Sequence, residues 1–371
     1  MSASDPTRFA FVLCQPGAEP ALKRELAQSE PDWAPAYQRP GLVTFRTGQP
    51  VTPELHLSSV FARAYGASLG TVAAGDLEAV AARTAALPVA HASGAELRAG
   101  PLCLHVIERA PARPDELAPS PRLVEFEAAL RRRLDDAGSG TVGGMVSGTD
   151  RAEPGQLVLS VIVGDEPGWL LGLHRHNAAH CPYPGGRYPL ALPDDAPSRA
   201  YLKIEEAIVA FELPFKAGDT ALEIGAAPGG AAYALVRRGV HVVAVDPAEM
   251  DPAVLAFEGP RAARVTHLPC AVSELERAAL PARVEWLLLD VHLAPQVALR
   301  SVRRLASIYK HTLLGAVLTL KLNDWQFARS VPSFLLQARE MGLVEPRAKQ
   351  LVSHRQELAI VGLTARGQSR V

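Results

Sequence analysis

Two groups of residues in this 371-residue chain have types and spacing suited to chemistry. The first is the run Glu223-Ile-Gly-Ala-Ala-Pro-Gly-Gly230, where an apolar strand pattern gives way to a helical one. Glycines there let the backbone approach a ligand closely, and the helix N-terminus favours polar or anionic groups. Asp246 ends the next strand pattern, 21 residues after Gly225. An acid at that place can accept both ribose hydroxyls of an adenosine. A nicotinamide fingerprint needs glycine where Ala227 stands, and no Walker lysine follows, which removes a P-loop. The loop suits adenosylmethionine, with Glu223, Gly225, Ala226, Ala227, Pro228, Gly229, Gly230, Asp246 and Asp290 as the residues expected to hold it.

The second group is Lys203, Asp290, Lys321 and Glu357. Asp290 and Lys321 each close a strand pattern at its carboxyl end, where open α/β sheets place their ligands. Other methyl acceptors are poorly served. Base-amino chemistry wants Asn/Asp-Pro-Pro-aromatic after the fourth strand, and the chain has Asp290-Val-His-Leu. Cytosine C5 chemistry wants a nucleophilic cysteine, and Pro269-Cys270, after the third strand, reads better as packing.

The elements that must position these residues follow from periodicity. Strands are expected at Ala221–Ile224, Val240–Val245, Val265–Leu268, Val284–Leu289 and Ala316–Leu320, mostly with helices between them. Such alternation signals a doubly wound, mostly parallel sheet. Lys349–Val352 and Glu357–Leu363 read as a terminal antiparallel hairpin. Before a Pro- and Gly-rich linker over Asn177–Pro197, the pattern is different. Strands at Phe9–Cys14, Leu42–Phe45, Leu102–Ile107, Leu157–Val163 and Trp169–His174 mix with helices at Glu19–Ala27, Leu55–Tyr65, Leu77–Ala86 and Leu123–Ala137. A turn at Gly164–Gly168 joins the last two strands. These pieces predict small α+β domains with antiparallel sheets.

Composition sets the outer limits. Apolar residues make up 48% and charged residues 21%, an ordinary globular balance. No apolar run approaches a bilayer span, and Met1–Gln15 lacks a signal-peptide core, so the expectation is a cytoplasmic protein without a membrane partner. Cys14, Cys103, Cys181 and Cys270 form no CxxC pair and read as free thiols. From Arg199 onward there are 21 basic and 17 acidic side chains, against 17 and 22 before it. Nucleic-acid contact would therefore use local patches. Arg300, Arg303, Arg304 and Lys310 form one basic stretch, either a solvated face or a phosphate contact. His174, His176, His180 and Cys181 cluster as zinc ligands can, but no second ligand pair accompanies them, and the expectation is a polar linker with no metal.

Ala196-Pro-Ser-Arg-Ala-Tyr-Leu-Lys-Ile-Glu-Glu-Ala207, the Gly-Ala-Ala-Pro-Gly-Gly loop, Leu320-Lys-Leu322 and Lys349-Gln-Leu-Val-Ser-His-Arg-Gln-Glu357 resemble FtsJ-type RNA 2′-O-ribose methyltransferases. Within them, the chain most resembles the bacterial 23S rRNA (large-subunit) 2′-O-ribose methyltransferase M family. The resemblance is good from about Pro182 to Leu363 and weak before. It departs from the usual pattern at Ala200, Ala227 and Ala231, where members often carry serine, cysteine and an aromatic residue. It implies that Lys203, Asp290, Lys321 and Glu357 are a catalytic tetrad and that S-adenosylmethionine is the methyl donor. It also implies a ferredoxin-like piece over 1–90, a THUMP-like RNA-binding domain over 91–181 and a Rossmann-like class I methyltransferase domain over 182–371. The partner implied is rRNA before ribosome assembly, with no obligate protein partner. Lys321 is the expected base or oxyanion partner, with Lys203 and Glu357 orienting it and Asp290 between Lys321 and the sulfonium. A second lysine and partial burial would lower its pKa, and the carboxylates would oppose that. The alternatives are methylation of another RNA or of a small-molecule hydroxyl, or a catalytically silent RNA-binding module.

Overall fold

A computed structural model describes residues 7–87, 101–109, 119–137, 146–164 and 168–370. The chain divides into two compact units, Met1–Pro189 and Leu190–Val371.

The first unit runs β1 (Phe9–Leu13), α1 (Glu19–Ser29), β2 (Ala34–Arg39), β3 (Leu42–Arg46), β4 (Ala64–Val72), α2 (Leu77–Ala85), β5 (Cys103–Glu108), α3 (Pro121–Ala137), β6 (Leu157–Val163) and β7 (Trp169–Arg175). Its strands form one continuous sheet in the order β2-β3-β1-β4-β7-β6-β5. The expected antiparallel pairing holds except at one place: β5 and β6, with α3 between them in the chain, run parallel. Part of the Gly164–Gly168 turn, and Gly138 at the end of α3, lie outside the described residues.

The helix expected at Leu55–Tyr65 does not form. Its apolar residues Leu57 and Phe61 are buried, but side chains take the backbone N–H groups. Val60 N–H donates to Glu25 Oε1 at 2.8 Å, and Ala62 N–H donates to Ser59 Oγ at 2.9 Å. Ala64 and Tyr65 then begin β4.

The second unit runs α4 (Ala200–Phe211), β8 (Thr220–Ile224), α5 (Gly230–Arg237), β9 (His241–Val245), α6 (Pro252–Ala256), β10 (Val265–Leu268), β11 (Trp286–Asp290), α7 (Pro295–Ile308), β12 (Gly315–Lys321), α8 (Val331–Glu340), β13 (Val344–Lys349), β14 (Glu357–Leu363) and α9 (Ala365–Gln368). The sheet order is β10-β9-β8-β11-β12-β14-β13. Pairs from β10 to β12 are parallel, and β14 runs antiparallel to both neighbours. This is the doubly wound Rossmann-like α/β fold with an antiparallel terminal hairpin. Its strand order reverses between β8 and β11, the place where such sheets open a ligand crevice.

The hairpin's first strand lies earlier than the expected Lys349–Val352. It ends at Lys349, and Val352 and Ser353 turn inward instead. Their N–H groups donate to Glu206 Oε1 and Oε2 at 2.9 and 2.8 Å, so a buried carboxylate on α4 takes the hydrogen bonds that a strand would have used.

Side chains alternate across a strand, and here the alternation places the chemistry. One face of the sheet carries Ala221, Trp286, Leu288, Val317, Ala359 and Val361, packed against Ile204, Ala207 and Ile208 of α4 and against α5. The same rows, continued by two residues at a time, reach Glu223, Asp290, Lys321 and Glu357. The opposite rows, with Leu222, Leu287, Leu318 and Ile360, are equally buried. The sheet is therefore largely apolar on both sides, and Glu223, Asp290, Lys321 and Glu357 all lie on one face.

Candidate active site

All four residues of the expected tetrad meet on that face. Lys321 ends β12 directly opposite Glu357, the first residue of β14. Paired residues of antiparallel strands share a face at about 5 Å, so register alone brings these two side chains together. Asp290 ends the neighbouring β11, beside Thr319. Lys203 comes from α4, which covers the face.

The four close a ring. Lys321 Nζ lies 2.6 Å from Asp290 Oδ1 and 3.0 Å from Glu357 Oε1. Lys203 Nζ lies 2.9 Å from Asp290 Oδ2 and 2.7 Å from Glu357 Oε2. Every carboxylate oxygen thus faces one ammonium, and formal charge cancels. Each ammonium has three donors and directs two of them at the ring, which leaves one for an incoming acceptor.

The side chains are shielded, with Lys321 only 7% exposed. Burial works against its charge, but the carboxylates of Asp290 and Glu357 outweigh that, and its pKa is raised above the ordinary lysine value. Of the opposing influences weighed from sequence, the carboxylates win in the free protein. Glu357 is the counterpart. Burial alone would raise its pKa, but Lys203, His354 and Lys321 hold it down at about 2.

Two residues that sequence reading missed support the ring. His354, three positions before Glu357, is fully enclosed, and burial pushes its pKa down to about 4. It lines the same pocket as Lys203, Glu223, Asp290 and Thr319. Glu206 anchors the turn that carries His354 into Glu357. The adjacent pair Glu205-Glu206 was the available signal, since two acids on a largely apolar helix need partners. Glu205 finds Arg238 in a bidentate pair.

Beside the ring stands the glycine loop. Glu223 is 2% exposed, and among the described residues its Oε2 has no hydrogen-bond partner. Burial, with Asp290 and Asp246 nearby, raises its pKa well above the carboxylate norm. Gly225 has φ of +82°, and a Cβ there would sit 2.4 Å from the Asp290 carbonyl oxygen. Gly230 has no room for a Cβ because Ser198 Oγ would be 2.2 Å away. Both glycines are thus demanded by protein neighbours that draw the loop, β11 and α4 together. Gly229 opens α5 at φ +115°.

Asp246 follows β9 and accepts hydrogen bonds from Ala227 N–H at 3.1 Å and Ala248 N–H at 2.8 Å. A carboxylate has about four acceptor positions, so it can hold the loop and still receive hydroxyl donors. Ala226 is buried, and Pro228 lends its carbonyl to Asp251 N–H at 2.9 Å. The orphan Glu223 carboxylate and the acid at Asp246 fit a polar adenosine-bearing ligand in the crevice next to Asp290.

The basic stretch on α7 is partly committed elsewhere. Arg303 pairs with Glu340 at 3.3 Å, and Arg304 donates to the Val272 carbonyl at 2.8 Å.

The FtsJ-like methyltransferase model matches residues 196–346, which include Lys203, Asp290 and Lys321 and stop before Glu357. The ribosomal RNA large subunit methyltransferase M of Methylococcus capsulatus is 37% identical over 180 residues, 47% of this chain and 46% of that protein. Its counterpart in Xanthomonas oryzae pv. oryzae is 30% identical over 227 residues, 58% of this chain and 61% of that protein. The chain spans about half the length of the curated relatives it matches. Among solved structures, TrmN from Thermus thermophilus aligns with 96% of this chain and 99% of its own, at 15% identity and a TM-score of 0.33. Residues 196–346 of the chain are thus similar to the FtsJ-like methyltransferases.

Proposed function

We propose that this protein methylates a ribose 2′-hydroxyl of RNA, with large-subunit (23S) rRNA as its substrate. The observation that carries the reading is the closed Lys203–Asp290–Lys321–Glu357 ring beside the glycine loop. The names of the relatives in Methylococcus and Xanthomonas point to the same substrate class.

Glu223, Asp246, Asp290 and the Gly225–Gly230 loop would hold the methyl donor, which supplies an electrophilic methyl group on a sulfonium. Transfer to a hydroxyl needs that hydroxyl to lose its proton. Lys321 serves this step with its remaining N–H direction. Its resting state is protonated, so the reactive state carries one proton fewer. A neutral amine facing the hydroxyl and an ammonium facing the alkoxide are the same composition, with the proton drawn in two places. Asp290 and Glu357 fix the position of Lys321, and Lys203 balances their charge. Because each carboxylate bridges both lysines, alignment is built in before substrate arrives, which is where much of the acceleration of such a displacement originates.

Residues 1–90 and 91–181 are read as ferredoxin-like and THUMP-like parts that deliver RNA, although their strands share one sheet. Among the described residues no helix is long and apolar enough to cross a membrane, and a cytoplasmic enzyme acting on rRNA before assembly fits the chemistry. Incubation with labelled donor tests the substrate. Protein-free large-subunit rRNA should accept label, and assembled subunits and small hydroxyl compounds should not. Label confined to a small molecule would overturn the reading.

A further inference from the structure

The tetrad does not use the histidines at the end of β7. His174 lies in that strand, His176 follows it, and His180 sits in the next turn, where its N–H donates to the Asn177 carbonyl at 2.9 Å. All three are buried, and one ring nitrogen from each lies within 4.8 Å of the others. Gly66 makes the space: a Cβ there would stand 3.0 Å from His174 Cβ.

Their hydrogen bonding is unusual for a core. His174 is 2% exposed, and neither of its ring nitrogens has a hydrogen-bond partner among the described residues. His176 Nδ1 is in the same position. Buried polar atoms are nearly always satisfied, and each exception calls for a cause. Nearby His105 shows the ordinary solution, since its Nε2–H donates to the Asp150 carbonyl at 2.9 Å. His180 differs again. Its Nδ1 lies 3.2 Å from Asn177 Oδ1, which places the proton on Nδ1 and the lone pair on Nε2. A side-chain oxygen behind one imidazole nitrogen is the usual support for a ligand at the other.

We propose that His174, His176 and His180 bind one borderline divalent transition metal, Zn²⁺ by preference, with solvent as the fourth ligand. Three neutral imidazoles suit that ion, and burial keeps His174 and His176 neutral. At metal–nitrogen bonds of about 2.0–2.1 Å the nitrogens would stand about 3.4 Å apart, so ligation draws the cluster in from its present 4.8 Å limit. His174 and His180 stack at 4.4 Å, and one ring turns about its Cβ–Cγ bond to converge. The ion would tie the end of β7 to the turn after it. Cys181 is not one of the three residues that converge.

The test uses the full chain after dialysis against a chelator. Titration with Co²⁺ should give one equivalent of visible absorption with four-coordinate intensity, abolished by added Zn²⁺. His176→Gln and His180→Gln should each weaken binding by more than about 100-fold, since losing even a supporting residue commonly costs 10–100-fold. Circular dichroism of the metal-free variants should match wild type, and Cys181→Ser should bind normally. His174 is the most enclosed, so the two other histidines carry the variant test if its replacement does not fold. Failure of the wild-type chain to bind Co²⁺ would overturn the proposal. So would binding that survives both histidine changes, or a thiolate-to-cobalt band lost in Cys181→Ser.

Discussion

Replacing Lys321 with alanine should stop methyl transfer while leaving cofactor and RNA binding in place. The side chain faces two carboxylate oxygens at 2.6 and 3.0 Å and is 7% exposed, so water cannot substitute for it cheaply. Removing one partner from a buried ionic set costs about 3–5 kcal/mol when charge is left unpaired. Here Lys203 still faces both carboxylates, and the stability loss should fall below that range. The rate should not be spared. Loss of proton-transfer assistance or of an oxyanion partner costs about 10²–10⁴-fold, equal to about 3–5 kcal/mol of transition-state stabilisation. Lys321→Arg should not rescue, because a guanidinium does not give up its proton and is shaped for forked contacts. Single-turnover rates with saturating donor and RNA separate chemistry from binding. The wild-type pH profile adds a second constraint. kcat/KM reports ionisations of the free enzyme, and Lys321 there is held protonated, with its pKa raised. Log kcat/KM should therefore climb by about one unit per pH unit through the neutral range. A Lys321→Ala enzyme within a few-fold of wild type, or a wild-type plateau below pH 8, would refute this role.

Other consequences are open to direct measurement. Asp246→Ala should weaken S-adenosylmethionine binding by about 10–100-fold in titration calorimetry, the worth of charge-assisted hydrogen bonds, whereas equal affinities would remove the loop assignment. Glu206→Ala strips the acceptor from two buried backbone N–H groups. It should lower unfolding free energy by about 3 kcal/mol and slow methyl transfer, because His354 and Glu357 ride on that turn; an unchanged urea midpoint would contradict this. His354 titrates near 6.5 when unfolded and about 4 when folded, so its contribution is complete above pH 6.5 and is lost as pH falls towards 4. That amounts to about 3 kcal/mol, and His354→Gln should flatten the corresponding slope in urea midpoints against pH. A chain beginning at Leu190, the start of the second compact unit, should keep donor binding and lose RNA affinity, with a flatter salt dependence.

The second unit was legible because its signals are local. Strand periodicity located β8 to β12 within two residues of their observed ends, and charged residues at the ends of apolar runs marked Asp290 and Lys321. What sequence could not show was why they meet. The β12–β14 register and the placement of α4 over one face are tertiary facts, as is the competition between burial and two carboxylates at Lys321. Glu206 illustrates the limit. The Glu205-Glu206 pair signals that partners are needed but not which ones, and Glu206 redirects Val352 and Ser353 out of the sheet. The first unit was harder. In β2, Pro35 and a mostly exposed, non-alternating pattern mask an edge strand. In β4, Gly66 and Gly70 interrupt the alternation, and Gly66 is required because a Cβ would stand 2.5 Å from the Leu173 carbonyl oxygen.

The proposed reaction puts the methyl group on a ribose oxygen. Alkaline cleavage of RNA needs a free 2′-hydroxyl to attack the adjacent phosphate, and a 2′-O-methyl group blocks that attack. Large-subunit rRNA labelled by the wild-type enzyme and digested in alkali should leave its label in a resistant dinucleotide, with none from the Lys321→Ala enzyme. Label released in mononucleotides as a methylated base would contradict ribose methylation.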